Sequence, residues 1–147
     1  YAESLGRELG LYEDPYQYFG MLSMEMHRAI RLVVDTGIHG KGWTREQAIQ
    51  YSLDNEAESE TSIIAEIERY MATPGQALSY KIGQLKIREL RTRSEEALGD
   101  QFNVKEFHNQ VLNSGSLPLV LLEEKINNWI AKEKETNTKA LSEVSHR

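Results

Sequence analysis

The 147 residues carry a formal charge of -6, from 17 Lys and Arg against 23 Asp and Glu, which argues against a nucleic-acid surface because such a surface needs a basic face. Hydrophobic residues at 39% and charged residues at 27% describe a folded globular chain, neither disordered nor membranous. With no cysteine, disulfides, thiolate metal sites and a cysteine nucleophile are excluded, and no apolar run approaches the roughly 20 residues of a membrane helix.

In chain order the predicted elements are all helical. Tyr1-Ala2-Glu3-Ser4-Leu5 has no capping residue before it and reads as helix interior, as though the chain starts within an element. Asp14-Pro15-Tyr16-Gln17 then sets a capping Asp before a proline at the first helical position, with Gln three residues after the cap. Phe19, Leu22, Met26, Ile30 and Val33 step by three and four along the helix so opened. Gly37 and Gly40 read as its stop. Thr44-Arg45-Glu46-Gln47 repeats the capping box, with Trp43 placed to pack over the first turn, and Asn55 reads as the next stop. Ile63, Ile64, Ile67, Tyr70 and Met71 form another stripe.

Thr73-Pro74-Gly75-Gln76 reads as a third helix start, followed by Leu78, Ile82, Leu85 and Leu90, and Gly99 as the stop. Asn103-Val104-Lys105-Glu106 is a fourth start, closed by the Asn113-Ser114-Gly115 turn. Pro118 is expected at the first position of a last helix running to about Lys134, with Leu119, Leu122, Ile126, Trp129 and Ile130 inward. No segment alternates with period two, and the connections are short. The expectation is an all-α bundle of about six to seven helices in one domain over residues 1–134, with no dividing linker, and a polar tail at 135–147 that frays.

Two constellations could carry chemistry. His27, Arg31 and Asp35 lie at i, i+4 and i+8, followed by Thr36-Gly37-Ile38-His39-Gly40. One reading is a solvated face, where an Arg31–Asp35 pair contributes only tenths of a kcal/mol. The other is a partly buried stripe, because Leu32-Val33-Val34 and Ile38 flank it; a held Arg then suits a carboxylate. The glycines beside His39 let its backbone approach a ligand. No His or Glu at metal-ligand spacing accompanies it, and His27, His108 and His146 read as structural or surface residues. In the second constellation Gln76, Tyr80, Gly83 and Ile87 share a stripe. Glycine within a helix costs about 1 kcal/mol relative to Ala, so Gly83 is expected to admit a close neighbour or a ligand. Tyr80 is then either a core tyrosine at a tight helix crossing or a hydroxyl projecting into that ligand. No phosphate loop and no nucleophile elbow is present.

Several stretches together resemble a known family. They are Tyr-Ala-Glu-Ser-Leu-Gly at 1–6, Leu11-Tyr12 with Asp14-Pro15-Tyr16, and Arg-Leu-Val-Val-Asp-Thr-Gly-Ile-His at 31–39, then Gly-Trp-Thr-Arg-Glu-Gln-Ala at 42–48 and Pro-Gly-Gln-Ala-Leu-Ser-Tyr-Lys-Ile-Gly at 74–83. From residue 1 to about Ile130 the chain is similar to the C-terminal third of the bacterial family called domain of unknown function 885. Its members are much longer, largely helical, and taken to be gluzincin-like zinc metallopeptidases. An His-Glu-x-x-Pro-Gly-His motif and a downstream Glu-Gly-Trp-Ala-x-Tyr-x-Glu motif supply their ligands and base.

This sequence begins at the tyrosine of the second motif, so only Tyr1 and Glu3 remain of it. The resemblance implies zinc in the longer protein, with no cofactor and no metal ligand in these 147 residues. It implies oxyanion donors at His39 and Tyr80, a substrate carboxylate or peptide held by Arg31, Lys81 and Gln76, and Glu3 and Asp35 standing behind them. Arg88 and Arg91 are further candidate anion binders, one of them expected to pair with an acidic neighbour. The expected partners are the upstream part of the longer protein and a peptide substrate, with self-association through apolar surface around Leu5, Leu9 and Leu11. The segment alone is then inactive. A non-catalytic helical scaffold or protein-interaction module is the alternative, and the compartment stays open between cytoplasm and periplasm or cell envelope.

Overall fold

The computed structural model describes residues 1–144, giving the backbone alone from residue 137. Among the described residues there are seven α-helices and no strand. They are α1 (Ala2–Glu8), α2 (Pro15–Lys41), α3 (Arg45–Asn55), α4 (Glu60–Ala72), α5 (Ser79–Leu98), α6 (Val104–Leu112) and α7 (Leu119–Val144), with short 3₁₀ turns at Gln76–Leu78 and Gly99–Gln101. The all-α expectation holds, although the chain forms two compact units, Tyr1–Gln84 and Leu85–Arg147. Their boundary falls inside α5, where no change of composition marks it.

Local capping chemistry explains most helix starts. The Asp14 carboxylate accepts the Tyr16 N–H at 2.8 Å ahead of Pro15. Thr44 and Gln47 form the reciprocal capping box, and Asn103 accepts from Lys105 and Glu106. Ser59 caps α4 through the Ser62 N–H, a start the apolar pattern did not single out. Thr73 corrects an expectation: it ends α4, and its hydroxyl donates back to the Arg69 carbonyl at 2.8 Å. Gly75, at φ 81°, turns the chain into the 3₁₀ segment before α5 begins. Pro118 precedes α7, its carbonyl accepting the Leu122 N–H at 3.0 Å, and α7 runs past Lys134 to Val144.

Gly37 and Gly40 do not stop α2, which continues to Lys41 and turns at Gly42 with φ 68°. Gly37 is buried for a packing reason. A Cβ there would stand 2.5 Å from the Trp43 ring, and the Trp43 N–H closes on the Gly37 carbonyl at 2.9 Å. Trp43 reaches Tyr51 as well, with ring centroids 5.5 Å apart. The first unit packs α2 against α3, α4 and the 3₁₀ turn. Its core gathers Ile30, Val34, Ile49, Ile63, Ile67 and Tyr70. The second unit packs α6 on α7, with Phe107 fully buried between Phe102 and Trp129.

Candidate functional site

The site grows from one face of α2. Arg28, Arg31 and Asp35 lie at i, i+3 and i+7, one above another on that face. Arg31 is only 8% exposed and Asp35 2%, so the stripe is buried rather than solvated. Both meet the turn that Gly75 makes possible. The Gly75 N–H donates to the two Asp35 carboxylate oxygens at 3.1 Å each, and Gln76 Oε1 accepts from Arg31 Nη2 at 3.2 Å and Arg69 Nη1 at 2.9 Å. Burying a charge is costly unless it is paired and hydrogen-bonded. Here a backbone N–H and a side-chain carbonyl supply the partners.

The Arg31 guanidinium also stacks between two rings, 5.3 Å from the Tyr70 centroid and 4.7 Å from that of Tyr80. Its Nε is buried without a hydrogen-bond partner among the described residues. Below it, Arg69 grips Glu66 through Nε at 3.0 Å and Nη2 at 2.7 Å, and the Tyr70 hydroxyl donates to the same carboxylate at 2.7 Å. The Arg69 hydrogen bonds, with help from Tyr70 and the Arg31 charge, outweigh burial and hold the Glu66 carboxyl down at about 2. Burial and the Glu66 carboxylate push the Tyr70 phenol well above the usual tyrosine range.

Beside this cluster a hollow of about 190 Å³ opens among Tyr1, Ala2, Glu3, Arg28, Tyr80 and Gln84. Helix α1 supplies Glu3, which Arg28 holds through both terminal nitrogens, Nη2 at 2.7 Å. That bond lowers the Glu3 carboxyl and raises the Arg28 guanidinium, each against the opposing effect of burial. Lys81 Nζ and Gln84 Nε2 both donate to Glu25 Oε1 at 2.9 Å. Gln84 is buried, and its Oε1 has no hydrogen-bond partner among the described residues. Tyr80 is half exposed, so it is not a core tyrosine at a tight crossing. At Gly83 no close neighbour is admitted: a Cβ built there meets nothing within 4 Å, and the space over it is open.

The structure therefore brings Arg31, Gln76, Asp35 and Tyr80 together and sets Glu3 in the hollow that Tyr80 also lines. Lys81 is turned to Glu25. His39 lies on the exposed last turn of α2, its Nε2 3.0 Å from the Tyr70 carbonyl, and does not line the hollow. Arg31 and Tyr80 meet at 4.7 Å, whereas the His39 ring meets the Tyr70 carbonyl. His27 pairs with Glu56 at 2.5 Å, Arg91 with Glu95 at 2.8 Å, and His146 lies outside the described residues. Sequence reasoning passed over Arg28, Glu25 and Gln84. Arg28 had a signal, its place one turn before Arg31 on the same face.

Among the described residues no group of three or more His, Cys, Asp or Glu is placed to hold a metal ion, and no helix is long and apolar enough to cross a membrane.

An all-α chain with a buried arginine between two tyrosines next to a charge-lined hollow is the class that these features define. Its family follows from comparison. Residues 1–126 match the family model described as "Bacterial protein of unknown function (DUF885)", and the chain belongs to that family. Among solved structures it is similar to the "putative lipoprotein from Colwellia psychrerythraea", with 50% identity and a TM-score of 0.86. The match covers 88% of this chain and 22% of that one, so this chain spans a minor part of that relative's length. No curated protein matches the sequence.

Proposed function

We propose that this chain supplies one wall of the substrate site of a longer, zinc-dependent peptidase. In this reading the Tyr80 hydroxyl donates to the substrate carbonyl oxygen as negative charge develops on it. The observation that carries the reading is that Tyr80 stands in the same hollow as Tyr1 and Glu3, the residues that resemblance assigns to the end of the Glu-Gly-Trp-Ala-x-Tyr-x-Glu motif. A donor aimed at a developing oxyanion acts most strongly where its position is fixed beforehand. Arg31 supports the Tyr80 ring from below at 4.7 Å, itself braced by Gln76.

Arg31, Lys81 and Gln76 are the proposed contacts to substrate, with Asp35 holding the turn beneath them and Glu3 fixing Arg28. His39 remains the second proposed donor; its bond to the Tyr70 carbonyl has to open before it can serve. Among the described residues no three His, Asp or Glu side chains stand together as a zinc site would need. The metal site is assigned to the rest of the longer protein, and the segment alone is proposed to be inactive. The name of the Colwellia relative supports placing such a protein at the cell envelope.

The test is peptidase turnover by a full-length family member carrying this segment. Tyr80→Phe is expected to lower kcat by about 10² to 10³ with little change in KM. Turnover within roughly twofold of the parent protein removes Tyr80 from the chemistry. The second reading, a non-catalytic helical scaffold, then stands; it is favoured by the intramolecular partners of His39, Lys81 and Glu3.

A further inference from the structure

The outer side of α3 carries another hollow, of about 370 Å³, lined by Trp43, Gln47, Gln50, Tyr51 and Asp54. Gln47, Gln50, Tyr51 and Asp54 fall at i, i+3, i+4 and i+7 and so share one side of the helix. Trp43 stands just ahead of the first turn. The two rings, both part-buried, have centroids 5.5 Å apart and planes tilted by 50°, a corner instead of a flat platform. Trp43 is fixed by its contact with Gly37, so a ligand meets a ring already in place and little freedom is lost on binding. The three polar side chains are exposed and equally set. Gln47 Oε1 accepts the Thr44 N–H at 2.9 Å, which leaves its NH2 group as a donor. Gln50 Nε2 donates to Asp54 Oδ1 at 2.7 Å, which leaves the Gln50 carbonyl oxygen and the second Asp54 oxygen as acceptors.

Most ligand classes leave part of this hollow opposed or unused. An anion meets the Asp54 carboxylate. An apolar ligand strips water from three polar side chains and returns no hydrogen bond. A proline helix covers aromatic rings but has no N–H, so the Gln50 and Asp54 oxygens gain no donor from it. A small cation suits Asp54 and the rings but has no acceptor for the Gln47 NH2 group. A flat heterocycle lies on one ring of the tilted pair and leaves the other. We propose that this hollow binds an uncharged saccharide. The C–H face of a pyranose covers the corner between Trp43 and Tyr51, while its hydroxyls donate to Asp54 and Gln50 and accept from Gln47. Aromatic floor, few polar groups and a volume within about 300–1,000 Å³ are the ordinary features of a small-molecule site. The hollow shares no lining residue with the one at Tyr80, and the inference does not rest on the peptidase reading.

The experiment is an NMR titration of the 147-residue chain, read at the Trp43 indole N–H and the Gln47 and Gln50 side-chain amides. The saccharide probes are cellotriose and triacetylchitotriose; tetramethylammonium, acetyl-tetraproline amide and adenosine stand for the competing classes. At least one saccharide is expected to shift these signals saturably at millimolar concentration, with the Gln84 amide unmoved. Asp54→Ala and Gln50→Ala lie at exposed helix positions, where folding is not endangered. Each should weaken saccharide binding at least about tenfold, a difference of about 1.4 kcal/mol, with the thermal midpoint as the check on folding. Asp54→Asn keeps an acceptor oxygen and loses the charge, so it should bind the saccharide more tightly than Asp54→Ala does. No saturable shift with either saccharide overturns the proposal, as does undiminished binding by Asp54→Ala. Tighter binding of any competing probe overturns it too; if that probe is tetramethylammonium and Asp54→Asn abolishes its binding, the hollow is a cation site instead.

Discussion

Asp35, deep in α2, takes the Gly75 amide on both of its carboxylate oxygens at 3.1 Å, across 40 residues of sequence. This contact ties the turn that bears Gln76 and leads into α5, which bears Tyr80, to the helix bearing Arg28 and Arg31. A helix face and a left-handed glycine are therefore fixed to each other by one nearly fully buried side chain.

Removing that side chain should be severe. Asp35→Ala leaves the Gly75 N–H unmet, so a loss of about 2–3 kcal/mol is expected. Asp35→Asn keeps an acceptor and should cost about half as much. Urea unfolding of the two variants checks the order; equal, small losses would show that the contact is not what holds the turn.

Two glycines inside helices should respond in opposite directions. Gly37→Ala drives a Cβ to within 2.5 Å of the Trp43 ring. Despite the better helix propensity of Ala, it should destabilise by about 2 kcal/mol. Gly83→Ala meets open space and should stabilise by about 0.5–1 kcal/mol. Thermal melts of both variants read the signs directly.

Glu66 sets an acid limit. Its carboxyl is held at about 2 in the folded chain against 4.5 for the free group, so the folded state favours the ionised form. The stability this contributes is complete above about pH 4.5 and is lost as the pH falls through 2. The side chain is one third exposed, which reduces the contribution to about 1–2 kcal/mol. Denaturant titrations at pH 6 and pH 3 should show the parent chain losing more stability than Glu66→Gln over that interval.

The first half of α2 carries exposed apolar residues, Phe19 at 65%, Leu22 at 43% and Met26 at 48%, and Leu9 and Leu11 earlier in the chain are 69% and 65% exposed. If this surface drives the proposed self-association, Phe19→Ser should raise the dissociation constant by about tenfold or more. It should leave unfolding stability within about 0.5 kcal/mol. Sedimentation across a concentration series decides; an unchanged, monomeric profile for the parent chain removes the idea.

The helices were legible where the physics is local. Asp14, Thr44 and Asn103 cap their own helices within three residues, and a short window holds everything needed to see it. Thr73 has the same residue types, but the left-handed turn at Gly75 places it after α4 instead of before α5. Gly37 looked like a stop because its purpose, room for the Trp43 ring, is a contact made only after the chain turns back. The site follows the same rule. Arg31, Asp35 and Tyr80 stood out by type and spacing, whereas the partners that define their surroundings lie 40 and more residues away. Gln84 carried no local signal, since an unmet acceptor is a property of the packed structure.

The sequence contains two tryptophans, and the fold sends one to each compact unit: Trp43 onto Gly37 and Tyr51, Trp129 onto buried Phe107. The molecule thus comes with a separate optical reporter in each half. With Trp43→Phe or Trp129→Phe in place, fluorescence follows one unit at a time, and whether the two melts coincide tells whether 147 residues unfold as one body or as two.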